Sequence, residues 1–398
     1  MKNTVVTKVK RSKNKSDLRS GFTTGACAAA ASRAAVQTLL TGQQPDYISI
    51  TLPNGEPATF KVAFIQTSND AVTASIVKDA GDDPDCTHEA HIQSIARWHS
   101  DPGFHIDGGV GVARVTLPGL ELPVGQAAIN PVPHKNILDM ITLEWNQSTD
   151  GQRKSAGISV EICVPDGEER AKETIGPRLG LIGGISILGT RGTVKPYSTS
   201  AFSASVRQSV QIAKQNGQDH LVLTTGSRTE KSAMAMLPTY DSMCFIQAGD
   251  FVGVGLRAAR RYQVSKITVV AMIGKLGKMV AGHMMTHVSG KSIDFSLLAD
   301  LATQSGAPSE FSEAVSQANT GRHVLDTWKE AQSDQETPNY DFLTLLCKQA
   351  AEHAAVYVKH HVSIEFKLID FNGDLLAEHL CSKGSDVGIQ TTDFDDEA

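Results

Sequence analysis

Leu221-Val222-Leu223-Thr224-Thr225-Gly226-Ser227-Arg228, Cys244-Phe245-Ile246-Gln247-Ala248-Gly249-Asp250 and Ile267-Thr268-Val269-Val270-Ala271-Met272-Ile273-Gly274-Lys275 are three versions of one phrase. Each is a short apolar run of strand length, then a glycine turn. A predicted helix follows each turn, through Met236 in the first, Arg261 in the second and about His287 in the third. Repeated strand–helix units of this spacing predict a parallel sheet with helices on its faces. Such sheets take ligands outside the carboxyl ends of their strands. Glycine there lets the backbone approach a ligand, and the helix that follows offers unpaired N–H groups to a carboxylate or phosphate. Asp250 lies 24 residues beyond Gly226, close to where nucleotide-binding units place the acid that accepts from ribose hydroxyls. The plainer reading of the same residues is a set of turn glycines and a helix cap in an α/β fold with no ligand.

Beyond these units, helices are predicted over 294–304, 310–330 and 340–360. Residues 362–380 read as a hairpin turning at Asn372-Gly373, whose docking the pattern does not set. The first half of the chain has a different rhythm. Gly21-Phe22-Thr23-Thr24-Gly25 leads into the alanine-rich stretch Ala26 to Leu40, a helix with Thr24 as its predicted N-cap. Period-two alternation follows at Tyr47 to Leu52, at Phe60, Val62 and Phe64, and at Val72, Ala74 and Ile76, with Pro53-Asn54-Gly55 as a hairpin turn. That is an antiparallel meander. The prolines between Pro118 and Pro133 predict extended loop before a helix from Lys135 to Trp145, and Ile158, Val160, Ile162 and Val164 give one more strand. The expected fold is an α+β N-terminal domain with an antiparallel sheet, followed by an α/β Rossmann-like C-terminal domain. The divisions are a basic, disordered arm at 1–19, the α+β domain at 20–197, the α/β cofactor-binding domain at 198–390 and an acidic tail at 391–398.

Composition narrows the function. The chain has 398 residues, 40% of them hydrophobic and 20% charged, enough to bury ordinary cores in two domains. A net charge of -6 leaves no overall footprint for nucleic acid, so an anionic ligand must be gripped locally. The six cysteines form no CxxC pair, which argues against a disulfide framework and a cysteine zinc site and fits a reducing cytoplasm. The arm at 1–19 has no apolar stretch behind it and does not read as a secretory signal. The apolar run Ile267 to Ile273 is too short to cross a bilayer, so no membrane role is expected.

Several familiar sites fail on spacing. Gly108-Gly109-Val110-Gly111 runs into a predicted strand from Arg114 to Leu117, so no helix dipole meets a pyrophosphate there and a nicotinamide dinucleotide is disfavoured. No Walker loop is present. Counting an EF-hand from Asp79 puts Pro84 and Ala90 where glycine and glutamate are required. The segment Asp79 to Asp85 therefore reads either as an Asp-rich turn capping its own backbone or as a polar pocket wall with Asp79 or Asp82 as a base. His283 and His287, four apart on the predicted helix, lack the adjacent Glu of a zinc protease, so they line a cleft or pack. The stretch Arg178 to Gly192 is dense in glycine. Its backbone must pass close to another segment or a flat ligand, while Arg178, Arg191 and Lys195 add positive charge.

Taken together, Gly21 to Gly25, Lys78 to Asp85, Ala128-Ile129-Asn130-Pro131-Val132-Pro133, the segment Arg178 to Pro196, Thr225 to Lys231, Gly249 to Gly253 and Met272 to His287 resemble the cobalt-precorrin-5B C1-methyltransferase family of anaerobic cobalamin synthesis. The resemblance runs from about residue 18 to residue 323. It departs at Arg191, where the family often has threonine, and at His134, where it often has arginine. The resemblance implies methyl transfer from S-adenosylmethionine to C1 of a cobalt-containing, multiply carboxylated tetrapyrrole, giving cobalt-precorrin-6A and S-adenosylhomocysteine. The donor has a ribose for Asp250, a carboxylate for the helix N–H groups, and no pyrophosphate. On this resemblance Thr225, Gly226, Gly249, Asp250, Gly274 and Lys275 are expected to hold the donor. Arg178, Arg191, Lys195 and Arg228 are expected to anchor the carboxylates, and Asp79, Asp82 and His287 are the candidate proton acceptors. Cobalt would arrive inside the substrate, with no protein-held metal, and the macrocycle would lie in a cleft between the domains. Homo-oligomerisation is left open. The rivals are a nicotinamide-dependent oxidoreductase and a non-catalytic tetrapyrrole carrier.

Overall fold

The structure, a computed structural model, describes residues 18–147, 156–287, 292–333 and 341–385. Residues 1–17 of the basic arm and the whole acidic tail lie outside the described residues. The chain divides into two compact units, Met1–Ser198 and Thr199–Ala398, and both mix helices with sheet.

In the first unit the helix α1 (Thr24–Thr41) starts one residue after its real cap, since Thr23 rather than Thr24 accepts from the Ala26 N–H, at 3.2 Å. It stops at Gly42, whose left-handed φ of 74° suits glycine. Its alanines are buried, and the thin helix lies directly on a six-stranded sheet and on α2 (Pro131–Gln147). The sheet strands are β1 (Tyr47–Thr51), β2 (Pro57–Thr67), β3 (Ala71–Val77), β4 (His91–His99), β5 (Gly103–Gly108) and β6 (Gly157–Cys163). They lie in the order β1-β2-β3-β4-β6-β5, antiparallel except for the last pair.

Three local expectations change. The register of β2 shifts between Val62 and Phe64, so Phe64 leaves the buried face that Phe60 and Val62 share. Helix α2 begins at Pro131 rather than Lys135, because proline is tolerated in a first turn, where the N–H groups have no intrahelical partner anyway. The strand expected from Arg114 to Leu117 shortens to Arg114–Val115.

The glycine-rich segment is woven into this unit. Leu181–Ile182 pairs with Arg114–Val115, Gly184–Ile185 with Gly111–Val112, and Thr193–Val194 with Gly21–Phe22. A Cβ at Gly184 would sit 2.0 Å from the Gly111 carbonyl oxygen, and one at Gly189 2.3 Å from the Thr23 hydroxyl. At these positions the close approach is to the chain itself.

The second unit contains α3 (Thr199–Gln215), β7 (His220–Thr224), α4 (Ser227–Met236), β8 (Phe245–Gln247), α5 (Val252–Arg261), β9 (Lys266–Met272) and α6 (Ile273–Val280). After these come α7 (Phe295–Gln304), α8 (Ser309–Ser316), α9 (Gly321–Ser333), α10 (Phe342–Tyr357), β10 (Ser363–Ile369) and β11 (Leu375–Cys381). The sheet order is β8-β7-β9-β10-β11, parallel through β10 and antiparallel at β11. The C-terminal hairpin thus docks by pairing β10 along β9. The chain moves from β7 outward to β8, then returns to the other side of β7 at β9, so its direction of travel reverses between β7 and β9. The helix expected over 310–330 is two helices. The helix after Gly274 ends at Val280, because Gly282 takes a left-handed φ of 80°, so His283 and His287 do not share a helix.

Candidate functional site

The carboxyl ends of β7, β8 and β9 are tied together by backbone hydrogen bonds. Ala248 and Gly249 donate N–H to the Thr224 carbonyl at 2.8 and 3.0 Å, and Thr225 donates to the Val270 carbonyl at 3.3 Å. These bonds bring Thr225, Gly226, Gly249, Asp250, Gly274 and Lys275 to one edge of the sheet. Gly226 is extended (φ 163°) and leads straight into α4; neither α4 nor α6 has a side chain capping its first turn. A Cβ at Gly226 or at Gly274 would meet no atom within 4 Å. Neither glycine is required by the packing of the unit, in contrast to Gly184 and Gly189.

Asp250 is the polar centre of this edge. Its Oδ1 accepts from the Thr286 hydroxyl at 2.6 Å and pairs with the Lys275 ammonium. Thr286 is fixed in turn, because its N–H reaches the Asp250 carbonyl at 3.0 Å and its own carbonyl accepts from Lys278 at 3.1 Å. Burial, reinforced by the Lys278 charge, pulls the Lys275 ammonium below the usual lysine value, and Asp250 supplies the counter-charge. His287 is exposed and stacks on Phe251 with ring centroids 4.6 Å apart. Arg228 is exposed in the first turn of α4. Thr286 and Lys278 were not read from the sequence. Gly282 is the sequence signal for the end of α6, and nothing in the sequence marks the return of Thr286 to Asp250.

The other expected site residues lie in the first unit. Arg178 is half-buried in a turn of 3-10 helix (Gly176–Leu179), while Arg191 and Lys195 are exposed. Asp79 pairs with Arg19 through both carboxylate oxygens and accepts from Gly81 N–H at 2.9 Å. The hydrogen bond from Arg19 is the main favourable influence that holds the Asp79 carboxyl down to about 2. Asp82 accepts from the Arg19 N–H at 2.8 Å, Asp83 from the Tyr197 N–H at 2.9 Å, and Asp85 from Lys78 at 2.6 Å. Lys78 is 1% exposed, so its charge depends on Asp85. The Asp-rich segment therefore ties its own loop to the backbone and side chain of Arg19 and to Tyr197. Among the described residues, no group of three or more His, Cys, Asp or Glu side chains is placed to hold a metal ion, and no helix is long and apolar enough to cross a membrane.

Residues 11–196 match the CbiD family, and residues 285–379 match the family described as CbiD, C-terminal domain. A protein of Leptospira interrogans (serovar copenhageni) named cobalt-precorrin-5B C(1)-methyltransferase is 45% identical over 362 residues, covering 91% of this chain and 95% of its own. The chain belongs to the CbiD family. A relative of the same name from Geobacillus sp. (strain WCH70) is 44% identical over 372 residues, 94% of this chain and 99% of its own. Another, from Priestia megaterium, is 43% identical over 364 residues. A crystal structure of a cobalamin biosynthesis protein (cbiD) from Archaeoglobus fulgidus is 21% identical and covers 79% of this chain and 84% of that one, with a TM-score of 0.36. Like its relatives in the CbiD family, the chain is a methyltransferase of cobalamin biosynthesis.

Proposed function

We propose that this protein transfers a methyl group from S-adenosylmethionine to C1 of cobalt-precorrin-5B. The bond from the sulfonium sulfur to the methyl carbon breaks as the new C–C bond forms, and S-adenosylhomocysteine leaves. The observation that carries this reading is the 45% identity to cobalt-precorrin-5B C(1)-methyltransferases along 91% of the chain.

The second unit is read as a Rossmann-like donor domain. Its sheet reverses direction between β7 and β9, and crevices at such reversals are where open α/β sheets take nucleotide ligands. Gly226 and Gly274 have open space where a side chain would stand, and the N-termini of α4 and α6, which no side chain caps, would offer N–H groups to the donor carboxylate, with Lys275 adjacent. Asp250 serves the ribose hydroxyls. The donor brings its own leaving group, so the protein's main task is alignment, which supplies on the order of 7–11 kcal/mol without a covalent intermediate.

Arg178, Arg191, Lys195 and Arg228 are the proposed partners of the macrocycle's carboxylates, each charge-assisted bond being worth roughly 1.5–3 kcal/mol. For the proton released on rearrangement, Asp79 is too acidic to be an efficient acceptor once paired with Arg19, and Asp82 is engaged by the same residue. His287 is the acceptor we favour. The site of action we propose is the cytoplasm. Calorimetric titration with S-adenosylhomocysteine tests the donor site: Asp250→Ala should weaken binding and Arg178→Ala should leave it intact while weakening tetrapyrrole binding. No heat with the wild-type protein at millimolar ligand, or equal effects of both variants on both ligands, refutes the assignment.

A further inference from the structure

We propose that Phe202 is the shelf on which the adenine ring of the donor stacks; this deepens the donor-site reading above and rests on it. Phe202 lies in the first turn of α3 and leaves 41% of its surface exposed, although it is a large apolar ring at the edge of a unit with an extensive core. Its ring centroid lies 5.3 Å from that of Phe251, which stacks on His287. Phe251, 8% exposed, offers a ligand almost no surface, whereas Phe202 is 41% exposed.

The placement is tied to the ribose acceptor. Gly249 adopts a left-handed φ of 58°, and a Cβ built there would lie 3.4 Å from Cζ of Phe202, so the loop that delivers Asp250 runs along the edge of this ring. Adenine is joined to ribose by one glycosidic bond. A base whose ribose reaches Asp250 must therefore fall within a ring's width of the sugar, and Phe202 is an exposed aromatic ring beside that loop. The dipeptide Gly249-Asp250 would then set both contacts, glycine by running along the edge of the shelf and aspartate by accepting from the sugar. Stacking on an aromatic side chain contributes about ten- to a hundredfold in affinity and tolerates different bases. The shelf thus supplies binding strength, while selection for adenine falls to polar groups on its rim.

The test is titration of wild type, Phe202→Ala and Phe202→Trp with S-adenosylhomocysteine, with thermal unfolding and sedimentation of each. Phe202→Ala should keep its Tm and sedimentation and lose about tenfold or more in affinity. Phe202→Trp should bind as wild type does, with the emission of its introduced indole quenched on saturation. Wild-type affinity in Phe202→Ala, or an unquenched introduced indole in saturated Phe202→Trp, overturns the shelf and leaves the donor site standing. So does a change in sedimentation with affinity intact, which would make the ring a contact between copies of the chain. Absence of binding by the wild-type protein removes the donor-site reading and the shelf together.

Discussion

Gly274→Ala should make the protein more stable and a worse donor binder at the same time. Gly274 is the second residue of α6, is not at positive φ, and has open space where a Cβ would go. Alanine in a helix exceeds glycine by about 0.5–1 kcal/mol, through helix propensity and a less flexible unfolded chain. For a unit of this size that raises Tm by roughly 1–4 °C. If the crevice admits the donor's carboxylate to this backbone, the added methyl occupies ligand space, and overpacking of that kind costs about 1–3 kcal/mol. Affinity for S-adenosylhomocysteine should then fall by about 5- to 150-fold. Differential scanning fluorimetry and calorimetric titration read the two effects separately. A variant with unchanged or raised Tm and wild-type affinity would refute the claim that the open space at Gly274 belongs to the donor.

Gly184→Ala is expected to do the opposite. Its Cβ falls 2.0 Å from the Gly111 carbonyl, where backbone must move, so a loss of about 3 kcal/mol or more in urea unfolding should follow; wild-type stability would contradict the woven-segment description. A pH effect is expected from His220, whose Nε2 meets the Thr268 hydroxyl at 2.7 Å and whose Nδ1 meets Tyr240 at 2.7 Å. Burial, aided by the Lys266 charge, pulls it down from 6.5 to about 4. Between those values the unfolded chain binds a proton that the folded chain refuses, so this contribution to stability is complete above pH 6.5 and declines as pH falls toward 4. His220→Gln should flatten that slope in urea midpoints measured across the window; an unaltered slope would exclude His220 as its source.

The strand–glycine–helix phrase exposed most of the second unit, because apolar runs of strand length and turn glycines are local signals. The docking of the Ser363–Ile369 strand beside β9 was invisible, since parallel pairing across such a separation leaves no mark on either segment. In the first unit β4 and β5 were missed. The His91–His99 strand alternates only weakly in polarity, so period-two patterning does not mark it. The residues proposed for the donor site were legible as a set because glycines and Asp250 sit at strand ends, whereas Thr286 and Phe202 reach the same edge from other segments. Glycine density at 178–192 was ambiguous in principle, since approach to backbone and approach to a ligand demand the same missing Cβ. Gly184 and Gly189 turn out to face the chain.

Methyl transfer to C1 is tested most directly by a single turnover measurement. Folded protein is incubated with cobalt-precorrin-5B and S-adenosylmethionine labelled in its methyl carbon, and the macrocycle is examined by mass spectrometry and carbon NMR. One labelled methyl per macrocycle, bonded to C1, is expected, with one S-adenosylhomocysteine formed for each. Label appearing at a different ring carbon, or none transferred by protein that binds both molecules, would contradict it.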